Sequence, residues 1–434
     1  MGLLELSIFL LVLLFVLLGA GLWISMSLAA IGWVAMATVH PAPGPFLASA
    51  LWESTGSWTL AALPMFVWMG EILFRTKLSE ELFNGLAPWV RRVPGRLLHV
   101  NILACGLFGS VSGSSAATCA TVSRIALPEL KKRGYDEDVA IGSLATAGTL
   151  GILIPPSIIM VVYAVAAEVS IVRVFIAGCL PGLLVMLLFS GYIVVWALLN
   201  PSKQPPAEPR MNLREKLRAS SQLIPCVLLI TGTIGTMFVG WATATEAAAF
   251  GVLGSLILAA VTRTLTWESF VDSVKGATRL SCMILFILAG AAFLTKAMAL
   301  TGIPGALAAG VASLDLGPYG IIALLTVVYI VLGTALDGVS MIVLTTTIVV
   351  PMVQAAGFDL VWFGIFIVLL VEIAEVTPPV GFNLFVMQTM TGKEQTAVAW
   401  ASMPFFLMLV LTVVLITLFP VTLVTGLPEW LLAR

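Results

Sequence analysis

The sequence predicts an all-α, polytopic membrane protein of two inverted-topology repeats, with about ten transmembrane helices and two re-entrant helical hairpins. Three observations predict it. Of 434 residues, 60% are hydrophobic and only 10% charged, at a mean hydropathy of +1.10. A soluble domain carries about 25% charged residues, which it needs to cover its surface. A set of turn and break residues recurs at one constant spacing, and the basic residues fall on one side of a threaded bilayer. Net formal charge is −1 and no long basic tract exists, so neither a nucleic-acid partner nor a disordered chain is expected.

A helix needs about 20 apolar residues to cross a hydrocarbon core about 30 Å thick. The candidate spans are the apolar runs near 3–22, 24–39, 57–74, 139–168, 172–199, 222–241, 246–262, 280–300, 362–390 and 397–425. The opening MGLLELSIFLLVLLFVLLGAGLW lacks a basic n-region and is expected to be a first span rather than a cleaved signal. Cys105, Cys119, Cys179, Cys226 and Cys282 lie in apolar segments without metal-ligand spacing and are read as small core residues. Two further stretches, about 97–130 and 319–350, are interrupted by Gly109-Ser110-Val111-Ser112-Gly113-Ser114-Ser115 and by Gly333-Thr334-Ala335-Leu336-Asp337-Gly338-Val339-Ser340. Each reads as a re-entrant hairpin, because irregular backbone at that depth needs protein or a wet cavity around it. The alternative is a continuous helix with a small-residue packing face.

Pro128 and Pro351 are 223 residues apart, as are Gly134-Tyr135-Asp136 and Gly357-Phe358-Asp359, Pro155-Pro156 and Pro378-Pro379, and Pro181 and Pro404. The chain therefore divides into a first repeat over 1–199, a polar cytoplasmic linker over 200–220 and a second repeat over 221–434. The first repeat holds a broken helix at about 139–168 and the second one at about 362–390. With the linker inside and both interrupted stretches treated as hairpins, only Arg173, Lys296 and Arg434 of 21 Lys and Arg fall outside, a strong positive-inside bias. Each repeat then has an odd number of crossings, which makes the repeats inverted and puts both termini outside. Glu129-Leu130-Lys131-Lys132-Arg133 is basic, whereas the matched Met352-Val353-Gln354-Ala355-Ala356 is uncharged.

Inverted repeats with broken helices at corresponding places point to a secondary transporter with its site near the midplane. Two adjacent prolines lack backbone donors and clash with the preceding turn, so each helix must open. The freed carbonyls suit a hard cation such as Na⁺; the alternative is a kink satisfied by Ser and Thr hydroxyls or water. Candidate cation ligands are Ser112, Ser114, Ser115, Thr149 and Pro155 in the first half, and Thr334, Asp337, Thr377 and Pro378 in the second. Gly113, Gly338 and Gly381 allow tight turns and close approach, half-helix N-termini suit a carboxylate, and Ser157 and Asn383 follow the breaks as substrate-facing candidates. Glu372 and Glu375 join Asp337 as acids within spans, where each demands a reason; Glu71 and Glu246 are expected to serve helix packing. The segments 77–96 and 264–279 read as interfacial arm helices. No metal-ligand pair accompanies His40 or His99, and GSVSGSS has no nearby base, so an enzyme is not expected. A purely structural anchor would leave the duplicated breaks without purpose.

IALPELKKRGYDEDVA, GTLGILIPPSI, GTALDGVSMIVLTT and VEIAEVTPPVGFNLFV closely resemble the large membrane subunit of the TRAP (tripartite ATP-independent periplasmic) transporters, and the resemblance covers nearly the whole chain. It implies an elevator-type fold of the ion transporter superfamily in a bacterial inner membrane. It also implies sodium-coupled import, a separate small four-helix membrane subunit and a periplasmic binding protein that delivers the substrate. The family's ion sites carry over onto the cation ligands named above. Many relatives have an apolar residue where this chain has Glu375. The expected substrate is a small organic anion, a carboxylate; the alternative within the superfamily is a stand-alone sodium/dicarboxylate symporter.

Overall fold

The computed structural model describes residues 2–205, 211–312, 317–334, 336–379 and 381–432, and all regular structure among them is helical. Arg210 and Arg434 of the charge count, and Ala335 and Val380 of the second-half motifs, lie outside the described residues. The first half runs through α1 (Leu3–Gly19), α2 (Ile24–Val39), α3 (Pro43–Thr55), α4 (Ala62–Phe74) and α5 (Leu78–Val90). It continues with α6 (Leu98–Ser112), α7 (Ser115–Lys132), α8 (Glu137–Ala147), α9 (Leu150–Leu153), α10 (Ile158–Ala166) and α11 (Ile171–Leu199). The second half has α12 (Leu213–Ser220), α13 (Ile224–Phe238), α14 (Ala244–Val261), α15 (Trp267–Thr301), α16 (Ile303–Ala312) and α17 (Gly317–Gly333). It ends with α18 (Gly338–Ala355), α19 (Leu360–Glu375), α20 (Phe382–Thr391), α21 (Gln395–Leu418) and α22 (Gly426–Leu432).

Local chemistry repeats with the helices. Moving the bounds of α7 on by 223 residues gives those of α18, and the first residue of α8 maps to the first of α19. Gly134 (φ +76°) and Gly357 (φ +83°) end α7 and α18 in the left-handed region. Behind them Tyr135 N donates to Leu130 O and Phe358 N to Val353 O, both at 3.1 Å, a glycine-terminated C-cap. Asp136 and Asp359 then cap the next helices, accepting from Val139 N at 3.2 Å and Trp362 N at 2.9 Å. The packing is reciprocal: α20 lies on α7 as α10 lies on α18, α17 on α19 as α6 on α8, and α21 on α8 as α11 on α19. Such mutual contacts characterise a two-fold relation.

A second group, α2, α3, α4, α13 and α14, gathers around α15 and its neighbours. A Cβ at Gly290 would lie 2.6 Å from Ser25 O, and Ser25 Oγ donates to Phe286 O at 2.6 Å, so α2 and α15 meet backbone to backbone. On the polar side, Trp89 of α5 donates to Ser220 Oγ at 2.5 Å and Lys216 of α12 sits 5.5 Å above its ring. Glu71 pairs with Arg75 and Glu246 accepts from Thr243 N at 2.8 Å, so both acids serve helix structure. The expected arm at 264–279 is continuous with the span after it. No proline interrupts it, Thr266 caps its start by accepting from Ser269 N at 3.1 Å, and α15 extends 35 residues, about 52 Å.

Among the described residues six helices are able, by length and composition, to cross a membrane, or eight if the bent pairs α3 with Trp58–Phe74 (52°) and Glu137–Leu153 with α10 (43°) each count as one span. The count is below the expected ten because other apolar helices, α1 and α2 among them, have 17 and 16 residues, only about 24–26 Å. The helix α3 fell outside every candidate span.

Candidate functional site

At the first tip, α6 stops at Ser112 because Gly113 turns left-handed (φ +62°). Ser114 caps α7, accepting from Ala117 N at 3.5 Å, and its carbonyl accepts from Thr118 Oγ1 at 2.7 Å. Thr118 and Ser112 share a hydroxyl bond of 2.7 Å. A Cβ on Gly151 would lie 2.8 Å from Thr118 Oγ1, and one on Gly109 would lie 2.6 Å from Gly151 Cα. Glycine at both places lets the tip and the first break touch backbone to backbone.

In the first break, Pro156 cannot donate to Ile152 O; Ser157 Oγ does so instead, at 2.6 Å, while accepting from Met160 N at 3.3 Å. Ser157 thus repairs the opening and caps α10. Thr149 is buried and donates to Thr146 O at 2.8 Å. Both Pro155–Pro156 and Pro378–Pro379 are cis. In the second half, Thr334 and Thr377 donate to Val331 O at 2.7 Å and Ile373 O at 2.5 Å. Asp337 caps α18, accepting from Ser340 N at 3.3 Å and from the Ser340 hydroxyl. A hydroxyl that donates backward keeps its lone pairs, so these threonines remain able to coordinate.

The two halves meet through side chains. Glu372 is fully buried and neither of its oxygens has a hydrogen-bond partner; Glu375 Oε2 and Ser115 Oγ are buried and equally unpartnered. The polar neighbours of Glu372 are Thr149 and Glu375, and those of Glu375 include Ser115 and Asp337. Thr149 and Glu372 are themselves 223 residues apart, so matched positions of the two repeats confront each other. Asn383 Nδ2 donates to Ala145 O at 2.9 Å, with its Oδ1 buried and unpartnered.

A cavity of about 360 Å³ collects this machinery, a size suited to a small molecule. Gly113, Ser114 and Ser115 border it from the first tip, Asp337 and Gly338 from the second, and Glu375 and Gly381 from the second break. Leu280, Met283 and Ile284 of α15 form the facing wall. Ser112, Thr149, Pro155, Ser157, Thr334, Thr377, Pro378 and Asn383 do not border it: Ser112, Thr149, Pro155, Ser157 and Asn383 are buried, and Pro378 is exposed. Thr118 and the α15 stripe escaped the sequence reading. Thr118 had a signal, four residues after the cap Ser114, whereas the α15 residues resemble any lipid-facing stripe. Unpartnered buried carboxylate and hydroxyl oxygens fit a hard cation, which prefers oxygen donors.

The description "Tripartite ATP-independent periplasmic transporter, DctM component" matches residues 11–422. Among similar proteins, the C4-dicarboxylate TRAP transporter large permease protein DctM of Pseudomonas aeruginosa is 34% identical over 386 residues, covering 89% of this chain and 90% of that protein. The ectoine/5-hydroxyectoine TRAP transporter large permease protein UehC of Ruegeria pomeroyi is 32% identical over 369 residues, covering 83% and 84%. The crystal structure of the Alcanivorax borkumensis YdaH transporter shares the fold, with TM-score 0.65 and 14% identity over 94% of this chain and 96% of that one. With a match over nearly its whole length, this chain belongs to the DctM component, the large membrane permease, of the tripartite ATP-independent periplasmic transporters.

Proposed function

We propose that the chain is the translocating subunit of a sodium-coupled, binding-protein-dependent importer of a small organic anion, a carboxylate, in a bacterial inner membrane. The observation that carries the reading is a cavity bordered by both helix tips and the second break, with Glu375 and Ser115 on its border and Glu372 next to Glu375. Residues that would hold sodium are Glu372, Glu375, Ser112, Ser114, Ser115, Thr149 and the carbonyls ahead of Pro155, with Thr334, Asp337, Thr377 and the carbonyls ahead of Pro378 in the second half. When bound, the ion supplies positive charge that offsets carboxylates otherwise costly to keep within a membrane. Gly113, Gly338 and Gly381 admit substrate close to the backbone, and the free N–H groups at the start of α7 and α18 suit its carboxylate.

In this proposal the reciprocally packed helices α6–α11 and α17–α21 form the moving body, and the group around α15 is the wall it slides along. The partners are a small four-helix membrane subunit and a periplasmic binding protein, with both termini of the chain on the periplasmic side. Membership of a tripartite family tells against the stand-alone symporter. Reconstitution of the three components in proteoliposomes tests the reading. Uptake of labelled organic acid is expected to follow an inward sodium gradient and to require the binding protein. Uptake that persists when the gradient is collapsed overturns the coupling, and equal uptake without the binding protein overturns the tripartite arrangement.

A further inference from the structure

A second cavity, of about 320 Å³, lies among α3, α10, α15 and α18. Three of these helices also border the central one. Along α15 the central cavity takes Leu280, Met283 and Ile284, and the second takes Leu288, Ala291 and Thr295, one face of the helix at successive turns. From Ile284 to Thr295 is about 16 Å of rise. Along α18 the order is Val339 and Met341, then Val343 and Thr347; along α10 it is Ile159, then Val165. The two cavities thus lie one after the other along a corridor of the same three helices. Glu168 borders both the second cavity and an open groove of about 780 Å³ between residues 168–173 and 354–361, so the second cavity adjoins the surface.

Charge along this corridor is uneven. The charged side chains bordering the central cavity are Asp337 and Glu375, and those bordering the second are Glu53, Glu168 and Lys296. Among the described residues bordering these two cavities Lys296 is thus the one amine or guanidinium, while Arg173 borders the groove beyond. Its Nζ donates to Glu53 Oε2 at 2.6 Å, and the Glu53 side chain is 65% exposed, which makes the pair a weak one. Glu53 demonstrates that a carboxylate fits against this amine. Thr346 and Thr347 border the same cavity, and Thr347 shares a 2.8 Å hydroxyl bond with Thr295 that joins α18 to α15.

We infer that Lys296 forms an outer binding site for the carboxylate of the transported organic acid, with Glu53 holding the amine until the substrate displaces it. The inference rests on the organic-acid reading above. Glu168 at the mouth repels a second negative group, so the site takes one carboxylate at a time.

The purified three-component transporter, titrated with succinate, pyruvate and gluconate in turn, tests it by thermal stabilisation and by sodium-driven uptake. For an acid that wild type takes up, K296Q is expected to raise the half-maximal concentration about tenfold at little change in maximal rate. E53Q, which frees the amine, is expected to lower it. If both variants titrate as wild type does, the outer site is overturned and the functional reading stands. If wild type neither binds nor takes up any of the three acids, the organic-acid reading falls and the outer site with it.

Discussion

The two helix breaks start from the same residue pair and end in different surroundings. Pro155, Pro156 and Ser157 are buried, and the Ser157 hydroxyl restores the bond that Pro156 cannot make. Pro378 and Pro379 are exposed, and it is Gln395, outside the motif, that donates to Pro379 O at 2.8 Å. Where the first break carries Thr149 and Ile152, the matched positions of the second carry Glu372 and Glu375. Duplication has kept the opening and changed its filling. The first break is neutral and closed by local bonds; the second bears the acids, Glu375 beside Ser115 of the first tip and Glu372 beside Thr149 of the first break. Neither half composes the site alone.

Four substitutions test this contrast. The largest effect is expected from E372Q, which replaces a fully buried carboxyl whose oxygens make no hydrogen bond by an amide of the same shape. Sodium-driven uptake should fall roughly 10- to 100-fold, with no drop in melting temperature, since a buried amide is cheaper than an unpaired buried carboxylate. Full uptake by E372Q would mean that the second break does not work through its charge. Next is G109A: its Cβ would meet Gly151 Cα at 2.6 Å, and because backbone must move, unfolding should cost about 1–3 kcal/mol less. The matched contact in the second half is Gly333 on Ala374, where an added Cβ would also collide, so tolerance of G109A would mean that the first tip is seated less tightly than the second. Smallest is S157A, which loses a cap and a repaired carbonyl for about 1 kcal/mol, compared with Q395A at the open break, expected within about 0.5 kcal/mol. Equal losses in a thermal melt would remove the difference between a sealed and an open break.

Much of the fold was legible because its punctuation is local. Gly134, Asp136 and the two Pro–Pro pairs act on their own neighbours, so their effect could be read without knowing the tertiary structure. The tips were legible for the same reason, Gly113 and Asp337 being turn and cap residues. Side-chain direction was not. Ser157 and Asn383 both follow a break and were assigned to substrate, yet one closes its own helix and the other donates to Ala145 O in the opposite half. The acids at 372 and 375 stood out as charges in an apolar run, but their neighbours Thr149 and Ser115 come from the other repeat, and no spacing within one helix reveals that. The 264–279 segment was separable by its charge and not by its backbone, which is why the arm and the wall turned out to be one rod.

The reciprocal seating of α20 on α7 and α10 on α18 bears on how the protein is born. Ala145 O receives its donor from a residue 238 positions later. At about 5–20 residues per second, ribosomes reach that residue roughly 12–48 s afterwards. For that interval the newly inserted first hairpin stands in lipid with Ser115, Thr149 and the Gly113 turn lacking their permanent cover, so the nascent chain needs the insertion machinery, or early-made helices, as a temporary sleeve.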